Sequence, residues 1–261
     1  MYLQEEFPQL DTWMSGVRFA PFFQPVLSDR RVRFELLAQC TQHGRRLEGD
    51  VVFCKADEEK LTEFLYQQIR WLGELLAVWR TRNHIIPTVS VNVSPLTILN
   101  DSELPEVVGK ALRDNPIDTY QLMLEVVEKP FVDLEKVFSA LCDSITMLRD
   151  TGVGISLDDC GAQGNNTTDI VRRLSQRHLV DEIKVDARRV SGADFVQLVR
   201  LADAAGCPLI AEGVEDWSFA ADVQSYGCGI QGYMISPPLA LHEAPEWLLN
   251  QQDRAKRAVS T

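Results

Sequence analysis

Positive charge is scarce in this chain. Its 261 residues carry 26 Lys and Arg against 38 Asp and Glu, a formal net charge of −12. Such a surface repels a polyanion unless a local basic patch intervenes, and only short pairs such as Arg30-Arg31 and Arg172-Arg173 do so. DNA is therefore excluded as a partner. Long apolar runs are also missing. None reaches the roughly 18 residues needed to cross a bilayer, so no membrane segment is expected. The N-terminal MYLQEEFPQLDTW has neither the basic region nor the apolar core of a signal peptide, and a cytoplasmic location is the expectation. There is no C-x-x-C pair and no disulfide-like spacing among Cys40, Cys54, Cys142, Cys160, Cys207 and Cys228. They read as reduced packing thiols, with Cys160 set apart because it adjoins two aspartates. Histidine is rare. His43, His84, His178 and His242 fall in loop-like or helical stretches, which disfavours a zinc site.

What remains is the composition of a globular protein, 45% apolar and 25% charged. Short β-like runs recur along it, and most end in a polar residue: FFQPVL, RFELLAQ, TVSVNVS, QLMLEVVE, GVGISLDD, VDEIKVD, PLIAEGVE and GIQGYMIS. Helix-period segments lie between most of them. EEKLTEFLYQQIRWLGELLAVW carries Leu61, Phe64, Leu65, Ile69, Leu72, Leu76 and Trp79 on one face, and FVDLEKVFSALCDSITMLRDTG carries Leu134, Val137, Phe138, Leu141, Ile145 and Leu148. These stripes are core-facing. GADFVQLVRLADAAG and WSFAADVQSYG are shorter and end at glycines suited to a C-cap. Strands alternating with helices predict a parallel sheet, and eight of them in this length predict a TIM-like (β/α)8 barrel. One connection breaks the rule. Only Ser28 to Arg31 join the first two strands, too few for a parallel crossover, so that pair must be antiparallel. Residues 1–18 read as an N-terminal extension, and residues 19–261 as one barrel domain closing on a helix with a polar tail.

Barrel enzymes place their chemistry at the C-terminal ends of the strands. Here those ends supply Glu35, Asn92, Glu125, Asp158, Asp159, Lys184, Glu212 and Gln231. Taken singly, each has an ordinary explanation: an N-cap aspartate, an edge-strand lysine, a glutamate in a turn. Together they place carboxylates on successive strand ends, and such a group cannot stay ionised without cations. Oxygen-only ligands suit Mg²⁺ or Mn²⁺. Adjacent Asp158 and Asp159 suit a two-ion site of the kind that clamps a phosphodiester.

In chain order these motifs resemble those of the EAL family, bacterial phosphodiesterases specific for cyclic di-GMP, over roughly residues 20–240. FQP resembles the family's Y-Q-P, FELL its E-A-L signature, SVNVSP its S-I-N-L-S-P, and LEVVE its E-x-x-E. LDDCG resembles D-D-F-G, EIKVD the K-x-D strand, and QGYMISPPL the Q-G-Y-x-x-S-x-P segment, while AEGVE is identical to the family's motif. The resemblance implies hydrolysis of one phosphodiester bond of cyclic di-GMP by two ions, Mg²⁺ or Mn²⁺, with inhibition by Ca²⁺, whose larger and more variable coordination suits such a site poorly. It implies metal ligation by Glu35, Asn92, Glu125, Asp158, Asp159 and Glu212. Catalytic roles fall to Lys184, which would orient or help deprotonate the attacking water, and to Glu35 and Glu215. Substrate contacts fall to Gln24, Leu36, Gln39, Ser94, Asp186, Gln231 and Pro237. Glu128 would hold the loop after Asp159, through which the family dimerises, so a homodimer is implied, and a regulatory protein partner is a further expectation.

Two departures qualify that reading. The family has an Arg at the position of Gln39, and a charge-assisted phosphate contact of that kind contributes about 1.5–3 kcal/mol; Leu96 likewise stands where an Arg is common. The loop DDCGAQGNN replaces D-D-F-G-T-G-Y-S-S, with Cys160 for Phe and an inserted Gln163. The alternative is therefore a weak or inactive domain that senses cyclic di-GMP or regulates a protein partner.

Overall fold

The computed structural model describes residues 16–259, apart from 29–30, 48, 54–55, 82–86, 115–117, 119–120, 128–133 and 162–166. The first two strands form a long antiparallel hairpin. β1 (Val17–Ser28) and β2 (Arg31–Gln42) stay in register from Val17 opposite Gln42 to Ser28 opposite Arg31. β3 (Arg45–Leu47) folds back on the far end of β2. Phe34 to Leu36 of β2 then start the parallel part of the sheet beside β4 (Val89–Val93). It continues through β5 (Leu122–Val126), β6 (Gly154–Leu157), β7 (Glu182–Asp186), β8 (Leu209–Glu212) and β9 (Gly229–Gln231). β9 lies antiparallel to β1, with Val26 opposite Gln231, and this pairing closes an eight-stranded ring. The expected barrel with one reversed strand is the observed fold. A short β10 (Leu239–Ala240) adds to the outer edge of β1.

The last strand is shorter than GIQGYMIS suggests. It stops at Gln231 because Gly232 lies against the backbone of Val214, where a Cβ would come within 2.2 Å of the Val214 carbonyl. The chain turns there, and Val214 then exchanges hydrogen bonds with Gln231 and Met234.

Helices clothe the outside of the ring. α1 (Gly49–Phe53) is a single short turn, and α2 (Glu58–Thr81) buries Phe64, Leu65, Ile69, Leu72, Leu76 and Trp79 along its predicted stripe. Truncating one such leucine to alanine removes about 2–5 kcal/mol. α3 (Pro95–Asn100) and α6 (Thr167–Ser175) arise from short segments, and α4 (Leu104–Asp114) buries Leu104, Val108 and Leu112 at four-residue spacing; these helices accompany α5 (Leu134–Asp150). α7 (Gly192–Ala205) ends at Gly206 in the left-handed conformation, as its sequence predicts. α8 (Trp217–Gln224) ends instead at Ser225 in a right-handed conformation, and its left-handed residue, Gly227, comes two positions later. α9 (Glu243–Val259) closes the chain.

The main apolar core lies between the ring and its helices. A second, smaller cluster of Val17, Phe19, Cys40, Val52, Phe64 and Trp71 packs where the β1–β2 hairpin projects past the ring. Burial pushes the thiols of Cys40, Cys207 and Cys228 up to about 11, so they behave as inert packing groups. The interior of the ring is polar. Glu35, Glu125, Ser156, Glu182 and Lys184 are all buried there, and near its N-terminal end Arg33 pairs with Glu182, which also accepts a hydrogen bond from Ser156. Among the described residues no helix is long and apolar enough to cross a membrane.

Candidate functional site

Side chains alternate along a strand, and that alternation aims the polar strand-end residues at one another. Register does the rest: Asn92 stands opposite Glu125, and Asp186 opposite Glu212. At the centre is the ammonium of Lys184, 1% exposed. It lies 3.0 Å from Glu35 Oε2, 2.8 Å from Glu212 Oε1 and 3.6 Å from Asp158 Oδ1, and it donates to Glu125 Oε1. Glu35 is held at three points: Asn92 Nδ2 donates to Oε1 at 3.1 Å, and Gln231 Nε2 and Lys184 both donate to Oε2, the glutamine at 2.6 Å.

These contacts set the charge states. Burial would raise Glu35, but Lys184 with the amides of Gln231 and Asn92 outweighs it and holds the carboxyl below its usual range. Glu125 is fully buried, and burial together with the nearby Glu35 pushes it well above that range. Burial also lifts Glu212, with Asp158 adding repulsion against the opposing pull of Lys184. Burial would lower Lys184, yet the surrounding carboxylates hold it well above its ordinary value.

The two adjacent aspartates diverge. Asp158 is fixed by its backbone N–H, which donates to Val126 O at 3.0 Å. Asp159 takes a left-handed φ of 48°, and Arg189 lies 3.9 Å from its carboxylate. Cys160 is buried just beneath: its N–H donates to Lys184 O at 2.9 Å and its Sγ faces Leu157 O and Asp158 O. A small thiol thus ties this turn to the strand that carries the lysine.

Of the residues singled out by sequence, Glu35, Asn92, Glu125, Asp158, Lys184, Glu212 and Gln231 form one bonded network, and Asp159 lies with Asp158 and Glu212. Others hold the surrounding frame. Gln24 Nε2 donates to Ser236 O at 2.7 Å. Ser94 caps α3 by accepting from Leu96 N. Asp186 accepts from Arg188 N at 3.0 Å, and the exposed Glu215 pairs with the Arg188 guanidinium at 2.8 Å. Leu36 is buried in the cleft wall, and Pro237 is exposed, its carbonyl accepting from Ser236 Oγ. Gln39 lies on the projecting part of β2 opposite Ala20. Glu128 and Gln163 fall outside the described residues. Sequence reasoning missed Arg188 and Arg189, whose only signal was a basic dipeptide beginning two residues after Asp186, the end of β7.

Two triplets of carboxylate oxygens, Glu35–Glu125–Glu212 and Asp158–Asp159–Glu212, each fall within 4.8 Å of one another and share Glu212. Asn92 Oδ1, Glu125 Oε2, Asp158 Oδ1 and Gln231 Oε1 are buried with no hydrogen-bond partner among the described residues. Unsatisfied buried acceptors are costly, and oxygen acceptors in this number suit hard divalent ions. Charge agrees: five carboxylates against one ammonium leave a formal −4, which two divalent cations would balance. The site opens into a cleft of about 540 Å³, within the range of small-molecule pockets.

The sequence model for the EAL domain matches residues 9–238. The chain belongs to the EAL-domain family. It is 32% identical over 178 residues to the oxygen sensor protein DosP of Escherichia coli K12, a match covering 66% of this chain and 22% of that protein. It is 31% identical over 185 residues to the cyclic di-GMP phosphodiesterase PA2567 of Pseudomonas aeruginosa, covering 66% and 29%. This EAL domain thus spans less than a third of either relative's length. Its fold matches that of Klebsiella pneumoniae BlrP1 in complex with manganese and cyclic di-GMP, with a TM-score of 0.69 and 21% identity over 91% of this chain and 58% of that one.

Proposed function

We propose that this EAL domain hydrolyses one phosphodiester bond of cyclic di-GMP to the linear dinucleotide, using two divalent cations, Mg²⁺ or Mn²⁺. The observation that carries this reading is the cage itself: buried carboxylates from successive strand ends, four orphaned oxygens, and a single ammonium among them. Glu35, Asn92, Glu125, Asp158, Asp159 and Glu212 would hold the ions. When bound, the ions would supply charge neutralisation at the phosphate and acidify the attacking water.

The chain's own groups then do the positioning. Asn92 and Gln231 lock Glu35 in one orientation. The carboxylates around Lys184 favour its charged form, and its ammonium donates among them, which supports an orienting, hydrogen-bond-donating role. The Asp186–Arg188–Glu215 chain braces the rim beside Glu212. The names of PA2567 and of the BlrP1 complex favour cyclic di-GMP as the ligand. Gln39 favours a second reading, a domain that binds cyclic di-GMP without turning it over, since no charge reaches the phosphate from that position.

Incubating the purified protein with cyclic di-GMP and Mn²⁺ decides between them. Appearance of the linear dinucleotide, abolished in Glu35→Ala and suppressed by Ca²⁺, is the expected result. Tight binding with no product in either Mg²⁺ or Mn²⁺ overturns the enzyme reading in favour of the sensor.

A further inference from the structure

β7 lies between β6 and β8 in the ring, and the turn that follows it carries Arg188 and Arg189 side by side. The Arg189 N–H donates to Asp186 O at 2.9 Å and closes that turn. The two guanidinium groups then part. Arg188 reaches the loop after β8: it lies 2.8 Å from Glu215 Oε1 and rests against Gly213, where a Cβ would come within 2.5 Å of it. Arg189 reaches the other way, to the loop after β6, with Nη1 3.9 Å from Asp159 Oδ2. The outer carboxylate triplet, Asp158–Asp159–Glu212, is drawn from the ends of these same two strands. Asp159 is its most open member, with its side chain 38% exposed against 18% for Asp158 and 17% for Glu212. Lys184 and Arg189 differ in freedom. Lys184 is buried and shared among four acids, so it cannot withdraw. Arg189 is 61% exposed, and a solvated ion pair of this length is weak, so its side chain can swing aside.

We propose that Arg189 is a movable counter-charge that sets the affinity of the outer ion site. The inference rests on the two-ion reading above and adds to it a residue that works against the ion. In the ion-free protein the guanidinium stands beside Asp159 and eases the repulsion among the outer carboxylates. A divalent cation entering that triplet meets this positive charge and must displace it. The inner triplet, Glu35–Glu125–Glu212, keeps its own fixed balance through Lys184. Arg189 is thus neither a ligand nor a catalytic residue. Removing its charge should strengthen ion binding, the reverse of what losing a supporting contact would do.

The test titrates Mn²⁺ alone into wild type, Arg189→Gln, Arg189→Lys and Asp159→Asn, following bound ion by calorimetry and free ion by electron paramagnetic resonance. The step lost in Asp159→Asn reports the outer site. Arg189→Gln should tighten that step about threefold to tenfold at low salt and leave the other nearly unchanged. Arg189→Lys, which keeps the charge, should bind as wild type does. The difference should shrink in about 1 M NaCl, where the screening length falls to about 3 Å. Weaker Mn²⁺ binding by Arg189→Gln would make Arg189 a scaffold of the loop. Unchanged Mn²⁺ affinity would make the pair idle, or make Arg189 a substrate contact where cyclic di-GMP binding alone falls. Each of these overturns the inference and leaves the two-ion reading intact. A wild type that binds fewer than two ions, or an Asp159→Asn variant that loses no step, overturns both.

Discussion

Replacing Lys184 with methionine asks whether the carboxylate cage is built for cations. The side chain is fully buried and its ammonium is shared among Glu35, Glu125, Asp158 and Glu212. Methionine keeps the length and removes the charge. Removing one partner of a buried charge cluster costs about 3–5 kcal/mol, because the other charges stay behind without compensation. For a domain of this size each kcal/mol shifts Tm by about 2–4 °C, so the variant should melt roughly 6–20 °C below wild type in chelator. Divalent cations should then reverse much of the loss. Loading at a hundred times the dissociation constant adds about 2.7 kcal/mol of stability. The gain should be larger in the variant, whose cage is one charge more negative. Thermal unfolding of both proteins, in chelator and in Mn²⁺ with NaCl matched for ionic strength, measures this directly. Equal melting temperatures in chelator, or a manganese shift no larger in the variant than in wild type, would refute the electrostatic reasoning.

Stability in the absence of divalent ions should fall as pH rises above the ordinary carboxylate range. Glu125 and Glu212 have folded-state values raised above their ordinary range, so the folded protein binds the extra protons. Their contribution is complete below the unfolded value and is lost as pH climbs through the folded one. Glu35, whose value is lowered, acts in the opposite sense, with its loss beginning only as pH drops below its ordinary range; a Tm that rises across this window contradicts the assignment. Gln39→Arg should lower the Michaelis constant for cyclic di-GMP by about ten- to a hundredfold, the worth of one charge-assisted phosphate contact, whereas an unchanged constant shows that other groups already neutralise the phosphate. Gly232→Ala should cost about 1–3 kcal/mol, because its Cβ would fall 2.2 Å from Val214 O and 2.4 Å from Val214 N; a urea midpoint within error of wild type would show that the two loops can part freely.

Much of the architecture was legible because its causes are local. Period-two strands and period-3.6 helices follow from residue spacing alone, and the four-residue link from Ser28 to Arg31 was enough to require an antiparallel first pair. α4 offered the same kind of signal in Leu104, Val108 and Leu112, whereas α3 and α6 were not legible in this way. Short helices carry few turns of pattern, and α3 depends on the Ser94 cap and on packing against its neighbours. The extent of β9 was also hidden, since it is set by the contact between Gly232 and Val214, which only the folded chain brings together.

The identity of the strand-end acids was likewise written in the chain, since a strand has only two faces and alternation sends every second residue into the ring. Their charge states were not. Whether Glu35 sits low and Glu125 high depends on which of two similar glutamates meets Asn92 and Gln231 and which is enclosed with only a share of one ammonium. Sequence determined the barrel and the residues at its mouth, because spacing and side-chain chemistry are properties of the chain. Tertiary structure alone decided the charge each acid carries and which buried oxygens stand idle, because desolvation and pairing exist only once distant strands have been brought together.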